Sequence, residues 1–220
     1  MKFVVSICLS IALDLLSQSH LQAATLHAIL AFDKNDELVE DAVQHAQIGP
    51  TLHSHIAQDE LELHIIPAES MTERGIRTVI GRIESGPEDA ILFYYIGHGR
   101  FDGNLQATCL QLTNDPDAIF SWRDVTTAIR QTGCRFTAVI FDCCNRDDRN
   151  RRRARAAFAQ GPSQPHPTSR LFQELFFKSN GLLFICSSSP GEYALVKATK
   201  DRKSTRLNSS HSSVSRMPSS

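Results

Sequence analysis

Short apolar runs alternate along the chain with segments of helical spacing. The runs that predict strands are TLHAILAF (25–32), LELHIIPA (61–68), DAILFYYIG (89–97), TCLQLTN (108–114), FTAVIFDC (136–143) and GLLFICSSS (181–189). The central ones are apolar throughout rather than alternating, which is typical of strands buried on both faces.

Four segments between these runs have the spacing of amphipathic helices. They are 36–56, 70–85, 121–133 and 169–179. Gly49-Pro50 predicts a break in the first, a Ser70–Glu73 capping box predicts the start of the second, and Gly133 predicts the end of the third. This alternation predicts an α/β domain with a mainly parallel sheet and helices on both faces.

The first 24 residues differ from this pattern. A single Lys2, an apolar stretch and small residues at 23–24 are typical of a secretory signal, which predicts a secreted or periplasmic protein. The alternative is a cytoplasmic protein with an apolar N-terminal helix. The stretch is too short, and too interrupted by Asp14, to predict a membrane span.

The last 20 residues, 201–220, have no hydrophobic period. They are either a disordered Ser-rich tail or not native sequence, and the second interpretation is favoured because 201–211 resembles a translated short-read sequencing adapter. The predicted domain is therefore 25–200, and we expect it to be incomplete at its C-terminus.

Composition excludes several classes of function. A formal net charge of −1 gives no field that would attract nucleic acid. No glycine-rich phosphate loop follows a predicted strand, so a nucleotide site has no support. The six cysteines include no C-x-x-C pair that would predict zinc. Candidate functional residues must therefore be sought among individual side chains, outside these two motifs.

Polar residues follow three of the predicted strands, in YYIGHGR, FDCCNR and CSSSPGE. Ligand and catalytic sites of parallel sheets form beyond the carboxyl ends of strands. His98 lies between two glycines there, whereas the histidines at 27, 45, 53, 55, 64 and 166 are interpreted as packed or solvated. A strand-end histidine can activate a cysteine thiol, which is mostly protonated at neutral pH. Alone, Cys143-Cys144 would indicate a buried pair or a vicinal disulfide.

Gly-His-Gly after one apolar strand and Asp-x-Cys after another together resemble the caspase-like cysteine peptidases, in particular the metacaspase and orthocaspase branch. The resemblance covers about residues 25–195. It implies a three-layer αβα sandwich and a cysteine endopeptidase in which Cys144 is the nucleophile and His98 the general base. It also implies that Cys143 occupies the position of a small residue, usually serine, in the family motif. Gly99 and the backbone N–H of Cys144 are then the candidates for the oxyanion hole.

Asp142 matches the acid with which metacaspases bind a basic P1 residue, so the resemblance implies cleavage of protein or peptide substrates after Arg or Lys. The chain departs from the family at Ile96, at Asn145-Arg146 and in the missing glycine after them. No metal or other cofactor is assigned, and calcium dependence has no matched residue to support it. The SSSPGEYA turn resembles a family element in which Glu192 is structural or lines the cleft.

An arginine-rich segment at 147–155 follows the candidate nucleophile. It is either a site of self-processing or a solvated loop. The rival interpretations of the whole chain are a catalytically inactive caspase-fold module for binding or signalling, and a flavodoxin-like small-molecule binder. The altered flank at Asn145 keeps the first rival open, and the second lacks a phosphate loop.

Overall fold

The computed structural model describes residues 24–32, 47–112, 115–145, 169–190, 192 and 215–216. The strands are β1 Leu26–Phe32, β2 Leu61–Ile66, β3 Ala90–Gly97, β4 Gly99–Asp102, β5 Ala107–Leu112, β6 Asp115–Ser121, β7 Phe136–Cys143, β8 Gly181–Cys186 and β9 Ser215–Arg216. The α-helices are α1 Ile48–His55, α2 Glu73–Gly81, α3 Trp122–Arg130 and α4 Ser169–Lys178. Residues 1–23 of the predicted secretory signal, the start of the first helical segment, Arg146 and the arginine-rich segment lie outside the described residues.

The main sheet has the order β2-β1-β3-β7-β8-β9. Its first five strands are mutually parallel, and two-residue β9 pairs antiparallel with β8. The predicted α/β class with a mainly parallel sheet is therefore confirmed. β9 comes from the C-terminal segment that was predicted to be non-native.

Helices cover both faces of this sheet. Ile76 and Ile80 of α2, with Val125 and Ile129 of α3, pack against one face in a cluster that includes Phe93. The opposite face carries a second cluster, which includes Leu52 of α1, Ile56 directly after that helix, and Phe176 of α4. These layers are compatible with a three-layer sandwich and explain why the central strands are apolar on both sides. Within the described residues, no helix is long and apolar enough to cross a membrane.

A second, antiparallel sheet of order β4-β5-β6 lies beside the main one. The sequence predicted only β5 of these three strands. β4 was missed because it is short and begins at a glycine, directly after the apolar run of β3. The turn that follows it is held by Asp102, whose Oδ1 accepts hydrogen bonds from the N–H groups of Asn104 at 2.8 Å and Leu105 at 3.0 Å.

α1 begins at Ile48, after an N-cap residue, Gln47, whose φ of 41° is left-handed, which is compatible with the predicted interruption of helical structure near Gly49-Pro50. Gly49 and Pro50 lie in the first turn of α1, where a backbone N–H has no partner within the helix and a proline is tolerated. One local prediction was wrong, because α2 does not begin with a Ser70 capping box. Its N-cap is Thr72, whose Oγ1 accepts a hydrogen bond from Gly75 N at 3.0 Å. The predicted stop at Gly133 is consistent with its positive φ of 85°, three residues after α3.

Candidate active site

Neighbouring strands carry the two motifs of the candidate site. β3 and β7 are paired in parallel, and their register ends with Ile96 opposite Asp142 and Gly97 opposite Cys143. His98 and Cys144 are thus the next residue after each strand, at the carboxyl edge of the sheet. The expectation that these strands are neighbours is confirmed.

The backbone of His98 is fixed from two directions. Its carbonyl oxygen accepts hydrogen bonds from the buried Tyr95 hydroxyl at 2.7 Å and from Gln111 N at 2.9 Å. Because a trans peptide unit points its C=O and N–H in opposite directions, the N–H of Gly99 is held pointing away from Gln111. β5 and β3 therefore set the orientation of the Gly-His-Gly segment.

The two motifs approach each other closely at Gly99. A Cβ atom at this position would collide with Cys143 Sγ and would lie 2.7 Å from the carbonyl oxygen of Cys144. Only glycine fits such a contact without displacing one of the two segments. The structure thus brings together Gly99, Cys143 and Cys144, which the sequence placed in one site.

Serines of the third motif fix the peptide between the two cysteines. The Cys143 carbonyl accepts hydrogen bonds from Ser188 Oγ at 2.8 Å and Ser187 Oγ at 3.3 Å. Because these serines follow β8, the N–H of Cys144 in the same peptide unit points toward the opposite neighbour, β3. The CSSS segment therefore orients the candidate nucleophile's backbone, a role that the sequence did not predict.

Cys143 is enclosed, with 1% of its surface exposed, whereas Cys144 is partly exposed. A hydrogen bond with the Cys186 thiol and burial together raise the pKa of Cys143 well above its usual value. The same hydrogen bond lowers the pKa of Cys186 to about 7, against the effect of its own burial. None of the five described cysteines forms a disulfide, so the structure does not contain the vicinal disulfide that the sequence left open. Of the two adjacent cysteines, Cys144 is the more exposed residue.

Asp142 is half-buried and lies beside Tyr94, whose hydroxyl donates a hydrogen bond to Asp142 Oδ2 at 3.4 Å. Burial, the Asp142 charge and this hydrogen bond raise the pKa of the Tyr94 phenol. The phenol stays protonated and donates to the carboxylate, which leaves Asp142 oriented beside Cys144.

Asn145 connects the segments that follow β7 and β8. Its side chain is 2% exposed, and Nδ2 donates to Ser188 O at 3.3 Å while its backbone N–H donates to Glu192 O at 3.0 Å. Glu192 in turn accepts a hydrogen bond from Ser189 N at 3.1 Å through Oε2. Both residues thus have structural contacts that hold the rim of the site. Asn145 is therefore a buried residue that links the two segments by hydrogen bonds, and not one that lines an open cleft.

Sequence reasoning missed a second polar cluster, at the amino ends of the strands. His27 of β1 lies with Glu62 and His64 of β2, and one ligand atom from each lies within 4.8 Å of the other two. From the sequence alone, the two histidines are interpreted as packed or solvated. The available signal was the alternation Glu62-x-His64, which places two metal-ligand types on one face of a strand.

Neither a scan against protein-family models nor a search of curated proteins finds a match to the sequence.

Proposed function

We propose that the protein is a cysteine endopeptidase with a Cys144–His98 dyad. His98 takes the proton of the Cys144 thiol, and the thiolate attacks the scissile carbonyl of a peptide. The proton passes to the leaving amine, and water then hydrolyses the thioester. The N–H groups of Gly99 and Cys144 are the proposed donors to the oxyanion.

The observation that carries this proposal is the register of β3 and β7. It ends with Gly97 opposite Cys143, so the next residues on the two neighbouring strands are a histidine and a cysteine. Side chains two residues apart along a strand point to the same face. Ile96 and Asp142 are opposite each other in this register, and His98 and Cys144 each lie two residues further along the chain. Both catalytic side chains are therefore expected on the face that carries Asp142. The register concerns backbone positions, and the proposal adds that the His98 and Cys144 side chains interact.

Asp142 is the proposed determinant of specificity. A carboxylate that is half-buried and oriented by Tyr94 attracts a cationic P1 side chain and disfavours an acidic one. We therefore propose cleavage after Arg or Lys. The arginine-rich segment at 147–155 is then a proposed site of self-processing, which predicts fragments from the active chain and an intact chain for Cys144→Ala.

The test follows hydrolysis of matched fluorogenic peptides that end in Arg, Lys or Asp, with and without added Ca²⁺. Cys144→Ala is expected to reduce cleavage to the background rate, and His98→Ala is expected to lower kcat/KM by about 10²–10⁴-fold. Cys143→Ala and Cys134→Ala should retain activity, because Cys143 is enclosed and Cys134 lies before the opposite end of β7. Asp142→Asn should lower the preference for Arg over Asp.

Cleavage that persists in Cys144→Ala would refute the dyad, as would equal loss in Cys134→Ala. A folded wild type that cleaves none of the peptides, and whose Cys144 reacts with iodoacetamide no faster than Cys134 does, would instead support a caspase-fold binding module. Equal cleavage after Arg and Asp by the active enzyme would reject only the role of Asp142.

A further inference from the structure

His27, Glu62 and His64 converge at the edge of the sheet that is opposite the candidate active site. β1 and β2 pair with His27 opposite Glu62 and Ile29 opposite His64, so all three side chains leave the same face. His27 is level with Ile91 of β3, seven residues before His98. At about 3.3 Å per residue, the two places are roughly 23 Å apart along the strands.

The buried imidazole of His27 lacks ordinary partners. It is only 4% exposed, and within the described residues neither of its ring nitrogens has a hydrogen bond. Nδ1 nevertheless lies 3.1 Å from Glu62 Oε2. Since that contact lacks hydrogen-bond geometry, the two atoms are close without satisfying each other. His64 Nε2 is likewise buried without a hydrogen bond and lies 3.7 Å from the same Oε2.

The two separations from Glu62 Oε2 are close to those of atoms that share a metal ion. Tetrahedral Zn²⁺ with bonds of about 2.0–2.2 Å to nitrogen and oxygen holds its ligand atoms about 3.3–3.5 Å apart. The 3.1 Å and 3.7 Å contacts of Glu62 Oε2 lie on either side of this range. A pair of imidazoles with one carboxylate is also a ligand set that suits Zn²⁺ and related divalent transition metals.

The other ring nitrogen of His27, Nε2, lies near the carboxylate of Asp89. Asp89 Oδ2 lies 3.7 Å from His27 Nε2, and Asp89 is itself held by Thr25 N at 2.8 Å and Gly86 N at 2.6 Å. Metal-binding histidines commonly direct their second nitrogen at such a carboxylate, which fixes the ring and its tautomer.

We propose that His27 Nδ1, Glu62 and His64 Nε2 bind one Zn²⁺ ion, with water at the remaining position. The Glu62 side chain is 61% exposed, which gives the ion and its water access from solvent. The ion would join β2, at the edge of the sheet, to β1. This proposal does not depend on the proposed peptidase activity.

The test measures Zn²⁺ binding to the full chain after chelator treatment, by competition with a chromogenic chelator and by calorimetry. We expect one ion per chain for the wild type. Glu62→Gln and His64→Gln change side chains that are not enclosed and should lower the affinity by roughly 100-fold. His53→Gln, an exposed histidine on α1, is the matched control and should bind like the wild type. Circular dichroism verifies that each variant is folded.

Co²⁺ substitution identifies the ligands. Absorption typical of tetrahedral nitrogen and oxygen ligation is expected, and it should be lost in Glu62→Gln. Thiolate-to-cobalt charge-transfer bands would show that cysteines bind the metal and would overturn the assignment. Unchanged Zn²⁺ affinity in both Glu62→Gln and His64→Gln, or no binding to the folded wild type, would also overturn it.

Discussion

At the scale of single residues, the candidate site depends on the contact between Gly99 and the two cysteines. The segments after β3 and β7 approach so closely that no side-chain atom fits between them. The carbonyls on either side are independently fixed, that of His98 by Tyr95 and that of Cys143 by Ser188. Neither segment can therefore move away from the other without breaking a hydrogen bond that is largely shielded from water.

Gly99→Ala is expected to destabilise the protein and to reduce peptide cleavage. The new methyl group would collide with Cys143 Sγ and the Cys144 carbonyl, and overpacking of this kind costs about 1–3 kcal/mol. Urea unfolding and kcat/KM measure the two effects. Gly81→Ala is the control, because its Cβ would have no atom within 4 Å and should leave both quantities close to the wild type. Equal behaviour of the two variants would refute the close contact.

The histidine–glutamate cluster shows which side chains local sequence cannot bring together. The strand-end position of His98 and Cys144 could be predicted, because each follows an apolar run that identifies the edge of the sheet. His27 and His64 could not be paired in this way, since their proximity depends on which residue of β2 lies opposite which residue of β1. Register between strands is set by the whole sheet and not by either segment alone.

At the scale of secondary structure, the five parallel strands of the main sheet were the most predictable elements. β3 and β7 are apolar throughout because helices cover both faces, and this burial is visible in the sequence. Elements whose formation depends on a neighbour were less predictable. β4 exists through its pairing with β5, and the first turn of α1 accepts Gly49 and Pro50 because of where the helix begins.

The start of α3 is set by a capping box that the sequence segment 121–133 contains. Ser121 Oγ accepts a bond from Asp124 N at 3.4 Å, and Asp124 Oδ2 accepts from Ser121 N at 2.8 Å. Ser121→Ala is expected to lower the free energy of unfolding by about 1 kcal/mol, since it removes the N-cap. Thr127→Ala, an exposed hydroxyl on the same helix, is expected to remain within about 0.5 kcal/mol of the wild type. Chemical denaturation measures both, and a larger loss for Thr127→Ala would contradict the assigned cap.

At the scale of the whole molecule, the sheet separates two chemical environments. Its carboxyl edge carries the candidate cysteine site, and its amino edge carries the proposed metal site. β3 lies between them in the middle of the sheet, with Ile91, Phe93 and Tyr95 fully buried. Among the strands that the structure describes, β2 is at the end of the order and pairs with β1 alone. The edge strand β2 should therefore be locally less stable than the central strands β3 and β7.

Hydrogen exchange measured by mass spectrometry should show this difference. Amides of β3 and β7 are expected to exchange only through global unfolding, and those of β2 at least about tenfold faster, equivalent to about 1.4 kcal/mol less opening free energy. Because the proposed ion joins β2 to β1, saturating Zn²⁺ should slow exchange in β2 and leave β7 unchanged. Glu62→Gln should abolish this effect of Zn²⁺. Exchange in metal-free β2 as slow as in β3 would contradict the lower stability of the edge, and slowing that persists in Glu62→Gln would place the metal elsewhere.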